Sequence, residues 1–138
     1  MSSRELLVIF YRNPVLGKVK TRLASAIGER NALVVYQHLS NHTKLITQQL
    51  QNDVAVYYSD QIEPNDIWEN DTYQKYLQVG SDLGERMSNA LAESLKRGYQ
   101  SVCIVGTDCL ELTSSIIEEA FDQLIKFDAV IGPAKDGG

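Results

Sequence analysis

The chain has 138 residues, of which 43% are hydrophobic and 22% are charged, and these values are typical of a globular domain. The length suits one domain, and the composition excludes wholesale disorder, a collagen-like fibre and a bundle of membrane helices. A formal net charge of −5 would repel a phosphate backbone, so nucleic acid is a poor candidate partner. The apolar run before Arg12 is too short for a secretory signal or a membrane span, which predicts a cytoplasmic protein.

Short apolar runs along the chain predict the strands of a sheet. Such continuous runs are typical of strands buried on both faces of a parallel sheet. They lie at residues 6–10, 54–58, 102–105 and 129–131. A further short strand is predicted at 75–79, after a polar surface excursion over 60–74 whose Trp68 is expected to pack rather than to stack on a base.

Helical periodicity between these runs predicts helices on the faces of the sheet. Apolar residues recur every three or four positions in three segments, at 32–50, 83–95 and 116–124. Asp82 with Glu85, and Ser115 with Glu118, match the reciprocal capping pattern of a helix start. The order β, α, β, loop, β, α, β, α, β implies right-handed crossovers and an α/β fold, a Rossmann-like three-layer sandwich with a mostly parallel sheet.

The loop after the first strand, residues 12–23, is basic in an otherwise acidic chain. Its basic residues are Arg12, Lys18, Lys20 and Arg22. Gly17 permits close approach of the backbone, and free N–H groups at the next helix start accept an anion. Because Lys and Arg neutralise phosphate charge, the loop is predicted to bind a polyphosphate, with a solvated basic turn as the open alternative.

Carboxylates follow two of the later strands. In open α/β sheets, ligands bind beyond the carboxyl ends of the strands, near the point where the strand order reverses. Asp108 follows the run 102–105, where it can reach a hard cation such as Mg²⁺ or close a turn. Asp136 follows the next run, in an Asp-Gly pair that is also a common turn. If strand 101–105 pairs beside strand 5–11, the basic loop and both carboxylates open on one edge and can meet around one metal ion.

The other sequence motifs do not support a different kind of active site or metal site. Residues 12–23 lack the Walker spacing, and the chain has no GxGxxG or GxSxG segment. Cys103 and Cys109 lie six apart without a CxxC pair, which favours a buried reduced thiol over a disulfide or zinc site. His38 and His42 lie four apart without the acidic residue of HExxH, which favours a surface or half-buried pair.

Four segments in order, FYRNPVLGKVKTRL, VGSDLGERMSNAL, VGTDCLEL and IGPAKDGG, resemble the small bacterial GT-A-like transferases. These are a branch of the nucleotide-diphospho-sugar transferase superfamily, whose members include the guanylyltransferases for 2-phospholactate and for the molybdenum cofactor. The resemblance implies a GT-A fold, a nucleotide held over the loop of the first strand, and a divalent cation, Mg²⁺ or Mn²⁺, near the aspartate after the fourth strand. The chain departs from the family after GTDC, where Leu110 and Glu111 replace a Pro and an Asp.

The resemblance also implies roles for individual residues. On the phosphate side of the nucleotide it places Arg12, Lys20 and Arg22. On the nucleoside side it places Gly80, Asp82 and Gly84, although Asp82 and Glu85 need be no more than a helix cap. Asp108 falls on the metal position, and the expected catalytic residues are Lys20, Arg22 and Asp108. Asp136 is the candidate second ligand because of its own position after the next predicted strand.

The expected function is a Mg²⁺-dependent transferase that uses a nucleoside triphosphate or a nucleotide-diphospho-sugar for glycosyl or nucleotidyl transfer to a small acceptor. The alternatives are a nucleotide-binding regulatory module without turnover and, with less support, a structural partner subunit. Residues 1–138 are expected to form a single nucleotide-binding domain that lacks acceptor-side structure after residue 138, because the family pattern continues past DGG. The sequence names neither base, sugar nor acceptor, and it leaves an oligomer open.

Overall fold

The computed structural model describes residues 5–107 and 112–126. Within these residues the strands are β1 (Glu5–Tyr11), β2 (Asp53–Tyr58), β3 (Tyr73–Leu77) and β4 (Ser101–Gly106). The helices are α1 (Thr21–Ile27), α2 (Glu29–Gln48), α3 (Leu83–Lys96) and α4 (Ser114–Lys126). None of these helices is both long enough and apolar enough to cross a membrane.

The four described strands form one parallel sheet in the order β3-β2-β1-β4. The chain moves outward from β1 to β3 and then returns, through α3, to place β4 on the other side of β1. The strand order therefore reverses between β1 and β4, and the condition stated above, that strand 101–105 pairs beside strand 5–11, is met. The predicted run at 129–131 lies outside the described residues.

Helices cover both faces of the sheet and make a three-layer sandwich. On one face, α2 and α4 contribute Tyr36, Ile46, Ile117 and Phe121 to a cluster with Leu7 and other strand residues. On the opposite face, Ala90 of α3 packs against the alternate side chains of β1 and β2. Because β1 is central and covered on both sides, residues 6–9 are completely buried, as the unbroken apolar run predicts.

The structure corrects two element boundaries and adds one helix. Strand β3 begins two residues before the predicted 75–79 segment. The predicted cap at Ser115 is wrong: α4 begins at Ser114, and the cap lies two residues earlier, at Thr113, whose hydroxyl accepts from the Ile116 N–H at 3.2 Å. Helix α1 was not expected, since it has seven residues and buries none of them, so it leaves little periodic signal.

The predicted cap at Asp82 is confirmed. Its carboxylate accepts from the Glu85 N–H at 2.8 Å, which satisfies one of the free donors at the start of α3. The Glu85 carboxylate accepts in return from the N–H of Ser81, at 3.2 Å, rather than from that of Asp82. The reciprocal half of the cap is therefore shifted by one residue toward the amino terminus.

The acidic surface segment between β2 and β3 is held against the sheet by its own buried side chains. Trp68 is completely buried and packs edge-on against Tyr11 and Tyr73, as expected for a packing role. The Lys75 ammonium, on β3, donates to the Asp66 carboxylate at 3.1 Å, and the Tyr58 hydroxyl donates to the same carboxylate at 2.5 Å. The Lys75 and Asp66 side chains are only 8% and 16% exposed, so this ion pair is largely shielded from water.

Lys75→Met is expected to lower the free energy of unfolding by about 3 kcal/mol, because it leaves the Asp66 carboxylate without its cation. The matched control is Lys44→Met, which removes the same side chain from the more exposed pair with Glu69 and is expected to cost about 1 kcal/mol or less. Urea unfolding of both variants measures the difference. Equal losses in the two variants would contradict this account of the excursion.

Candidate functional site

The carboxyl ends of all four described strands lie on one edge of the sheet, and hydrogen bonds join the segments that follow them. The Ser59 N–H, after β2, donates to the Tyr11 carbonyl at the end of β1 at 2.9 Å. The Gln78 N–H, after β3, donates to the Tyr58 carbonyl at 2.9 Å. The basic loop and the segment 80–86 therefore open on the same edge.

Tyr36 of α2 joins the end of β1 to the end of β4. Its hydroxyl donates to the Arg12 carbonyl at 2.7 Å and accepts from the Arg12 N–H at 2.9 Å and the Thr107 hydroxyl at 3.1 Å. A tyrosine hydroxyl has one donor and two acceptor positions, so all of its capacity is used. Burial raises the pKa of Tyr36 above its usual value, which keeps the hydroxyl protonated and able to donate.

Asn13 joins the basic loop to the segment after β2. Its amide donates to the Gln61 carbonyl at 2.9 Å, and its side-chain oxygen accepts from the N–H groups of Asp60 and Gln61 at 3.0 and 3.2 Å. The side chain is 3% exposed, so these bonds replace water that the amide has lost. Sequence reasoning missed this residue; its only signal is a short polar side chain placed directly after a buried strand.

The backbone of the basic loop is fixed by one buried side chain and by two residues with positive φ angles. Val19 is buried, whereas its neighbour Lys18 is exposed and Lys20 is half-buried. Gly17 has φ +82°, and a Cβ there would lie 2.5 Å from the Glu29 carboxylate. Lys20 has φ 49°, in the left-handed region that costs a non-glycine residue about 1 kcal/mol or more.

The cations of this loop form no ion pair with an acidic side chain among the described residues. Segment 12–28 carries four of the chain's 13 basic residues and none of its 18 acidic ones. The two ion pairs among residues 5–107 and 112–126 involve Lys44 and Lys75, both outside the loop. Arg12 donates to the Lys18 carbonyl at 3.4 Å, which keeps the loop compact. A bound polyanion would relieve the repulsion between these charges, so the loop is suited electrostatically to phosphate groups.

In the segment 80–86, the fold itself requires Gly80 and uses Asp82. Gly80 has φ +146°, and a Cβ there would lie 2.8 Å from the Arg86 backbone nitrogen. The Arg86 guanidinium donates to the Gly80 carbonyl at 3.0 Å and to the Gln78 side chain at 3.3 Å. Arg86, which sequence reasoning did not single out, thus connects this segment to the end of β3.

Gly84 is different, because no packing contact among residues 5–107 and 112–126 requires a glycine there. It lies in the first turn of α3, and of the described residues an added Cβ would meet only the Asp82 carboxylate, at an ordinary contact distance of 3.5 Å. Glycine in a helix costs stability relative to alanine. The space above the start of α3 is therefore open to a ligand.

The expected metal ligands, Asp108 and Asp136, lie outside the described residues. Thr107, the residue before Asp108, is 4% exposed and is held at the carboxyl edge by Tyr36. No group of three or more His, Cys, Asp or Glu in the described part of the chain is arranged to hold a metal ion. His38 is exposed and His42 is half-buried, as expected. Burial raises the pKa of the Cys103 thiol above its usual value, which favours the inert protonated form.

An open depression of about 480 Å³ lies at the opposite edge of the sheet. Glu5, Glu118 and Asp122 line it together with the amides of Gln49, Gln51 and Asn52. Carboxylates there would repel phosphate groups. The carboxyl edge therefore remains the better candidate for a nucleotide.

Comparison with known proteins agrees with this fold. Residues 42–138 match the model of a family described as uncharacterized protein conserved in bacteria, DUF2064. Comparison with curated proteins gives no match. Among solved structures, the chain is similar to the crystal structure of a candidate nucleotide-diphospho-sugar transferase from Desulfovibrio desulfuricans G20, with 30% identity and a TM-score of 0.86.

That alignment covers 99% of this chain and 61% of the other protein, so the chain spans less than two-thirds of its relative's length. The predicted α/β fold is confirmed, and the family and structural matches support the predicted superfamily. The relation to the guanylyltransferases stays a prediction. The match over residues 42–138 shows that the chain belongs to the DUF2064 family.

Proposed function

We propose that this chain carries the nucleotide site of a transferase that uses a nucleoside triphosphate or a nucleotide-diphospho-sugar and passes a nucleotidyl or glycosyl group to a small acceptor. The observation that carries the proposal is the set of four cations in loop 12–22 that form no ion pair within the described residues, at the edge where the strand order reverses. Ligands of open parallel sheets bind at this position. The likeness to a candidate nucleotide-diphospho-sugar transferase supports the same class of substrate.

Both transfers end with a leaving group that bears a diphosphate. In nucleotidyl transfer, an acceptor oxygen attacks the α-phosphorus, the bond to the bridging oxygen breaks, and inorganic diphosphate leaves with the electron pair. In glycosyl transfer, the acceptor oxygen attacks the anomeric carbon and the nucleoside diphosphate leaves. Negative charge grows on the diphosphate in either case, and the side chains of Lys20 and Arg22 would stabilise it.

Asp108 is proposed to hold Mg²⁺ or Mn²⁺, with Asp136 as a second ligand. Both follow strand-forming runs in the sequence, and Thr107 lies at the same edge as the basic loop. Carboxylates suit these hard cations. A bound divalent cation would neutralise further phosphate charge. Arg12 and Gly17 would contact the phosphate groups together with Lys20 and Arg22, and Gly80, Asp82 and Gly84 would contact the nucleoside.

A thermal-shift panel tests this proposal directly. The panel contains nucleoside triphosphates, nucleotide sugars and inorganic diphosphate, each with and without Mg²⁺. A ligand that binds only the folded state stabilises it by about 2.7 kcal/mol at a hundredfold excess over Kd. We expect stabilisation by diphosphate-bearing ligands that increases with Mg²⁺, and no stabilisation by the matching nucleosides. A chain that responds to none of the diphosphate ligands would contradict the proposal.

Gly84→Ala is expected to affect stability and binding with opposite signs. The methyl group should raise the free energy of unfolding by about 0.5–1 kcal/mol, because alanine is the better helix former. The substitution should also lower the affinity for the nucleotide that gives the largest thermal shift, because the added methyl group occupies space that the fold leaves open. Ser88→Ala, one turn further along the exposed face of α3, is the control. Urea unfolding and calorimetry measure the two effects, and unchanged affinity in Gly84→Ala would refute a ligand at this position.

A further inference from the structure

The Tyr36 hydroxyl lies at the point where the strand order reverses. Strands β1 and β4 remain paired up to Phe10 and Gly106. Beyond this pair, Tyr36 contacts the first residue after each strand, Arg12 after β1 and Thr107 after β4. In the part of the chain that the structure describes, no other hydrogen bond joins the basic loop to Thr107.

The bridge, meaning the hydrogen bonds of Tyr36 to Arg12 and Thr107, depends on the Tyr36 hydroxyl and not on its ring. The Tyr36 ring stacks on Tyr11 with a centroid distance of 6.0 Å, and phenylalanine would keep that contact. Loss of the hydroxyl would instead leave the Arg12 backbone N–H and carbonyl and the Thr107 hydroxyl without their partner. Thr107 is 4% exposed, so water replaces this partner poorly.

We propose that Tyr36 is a positioning residue that sets the separation between the phosphate-binding loop 12–22 and Thr107 at the end of β4, so that one diphosphate group can contact both strand ends. The inference rests on the proposed function of the same edge. Arg12 and Thr107 are the first residues after β1 and β4, so the bridge fixes the distance between the two strand ends where the diphosphate would bind. Preorganised polar groups bind a charged ligand better than groups that must first be ordered.

Tyr73 provides a matched control. It is also buried, its hydroxyl shares a 2.8 Å hydrogen bond with a threonine, Thr47, and burial raises its pKa in the same direction as that of Tyr36. It begins β3, at the amino edge of the sheet, away from the basic loop. Tyr36→Phe and Tyr73→Phe therefore remove the same atom from two buried networks, only one of which joins the proposed site.

The test is a calorimetric titration of the whole chain with inorganic diphosphate, with and without Mg²⁺, at a temperature well below the melting points of all variants. Tyr36→Phe is expected to weaken diphosphate binding by roughly tenfold, as for the loss of one effective hydrogen bond. Tyr73→Phe is expected to change it by no more than about twofold, as for a distant independent site. Hydrogen exchange at the Arg12 amide should also become faster in Tyr36→Phe alone.

The outcomes separate this inference from the function on which it rests. A wild-type chain that binds no diphosphate would overturn both. If the wild type binds and Lys20→Ala weakens binding while Tyr36→Phe matches Tyr73→Phe in affinity, only the positioning role is refuted. If Tyr36→Phe does not fold, Thr107→Val removes one bond of the bridge at nearly constant shape. Wild-type affinity in that variant would overturn the inference, and weaker binding at an unchanged melting temperature would support it.

Discussion

Replacing Lys20 and Arg22 together by alanine is expected to weaken the binding of inorganic diphosphate by at least about 100-fold, since each charge-assisted hydrogen bond contributes about 1.5–3 kcal/mol. Neither side chain forms an ion pair within residues 5–107 and 112–126, so the fold loses little. The free energy of unfolding should stay within about 0.5 kcal/mol of the wild-type value. Calorimetry and urea unfolding measure the two quantities on the same samples.

The control for this double variant is Lys44→Ala with Lys96→Ala. It removes two positive charges from α2 and α3 outside the basic loop and so produces the same net charge. A general effect of charge on diphosphate attraction would weaken binding equally in both double variants. Equal losses would therefore refute the loop as the phosphate site, whereas a loss confined to Lys20 and Arg22 supports it.

Asp108→Asn is expected to remove the Mg²⁺-dependent part of diphosphate binding and to leave the melting temperature of the free protein unchanged. Asparagine keeps an oxygen that can close a turn, but it lacks the negative charge that a hard cation requires. The variant therefore separates the two roles that the sequence leaves open at this position. The measurement is the diphosphate affinity with and without Mg²⁺, repeated with Mn²⁺.

Asp60→Asn is the matched control, because Asp60 is exposed in the segment after β2 at the same edge of the sheet. Its substitution should leave the Mg²⁺ dependence intact. A Mg²⁺-dependent gain in affinity that survives in Asp108→Asn would place the metal ion elsewhere. Loss of the gain in both variants would indicate a diffuse effect of negative charge rather than a ligand.

Local patterns were sufficient to predict the layers of this fold. The apolar runs mark β1, β2 and β4 because buried parallel strands need apolar side chains on both faces. The cap at Asp82 was predictable because its partner is three residues away. Helix α1 was missed because a seven-residue helix without buried residues leaves a weak signal. The Thr113 cap was missed because it lies only two residues before Ser115, which also fits the capping pattern.

The hydrogen bonds that hold the segments of the candidate site together could not be predicted in the same way. Tyr36 falls in the apolar stripe of α2 and has the pattern of a core residue, but its hydroxyl partners lie 24 and 71 positions away. Asn13 and Arg86 likewise bond to groups that are distant in sequence. Of these features, the basic loop alone is recognisable from the sequence, because a segment with four cations and no acidic residue is unusual in an acidic chain.

The central claim is that a diphosphate-bearing ligand binds the carboxyl edge of the sheet between β1 and β4. A nuclear magnetic resonance titration of the ¹⁵N-labelled chain with inorganic diphosphate and Mg²⁺ tests it residue by residue. We expect the largest amide shifts in 12–22, in 80–86 and at Thr107, with residues 49–52 at the opposite edge unchanged. Shifts confined to residues 49–52, or none anywhere at millimolar diphosphate, would contradict the claim.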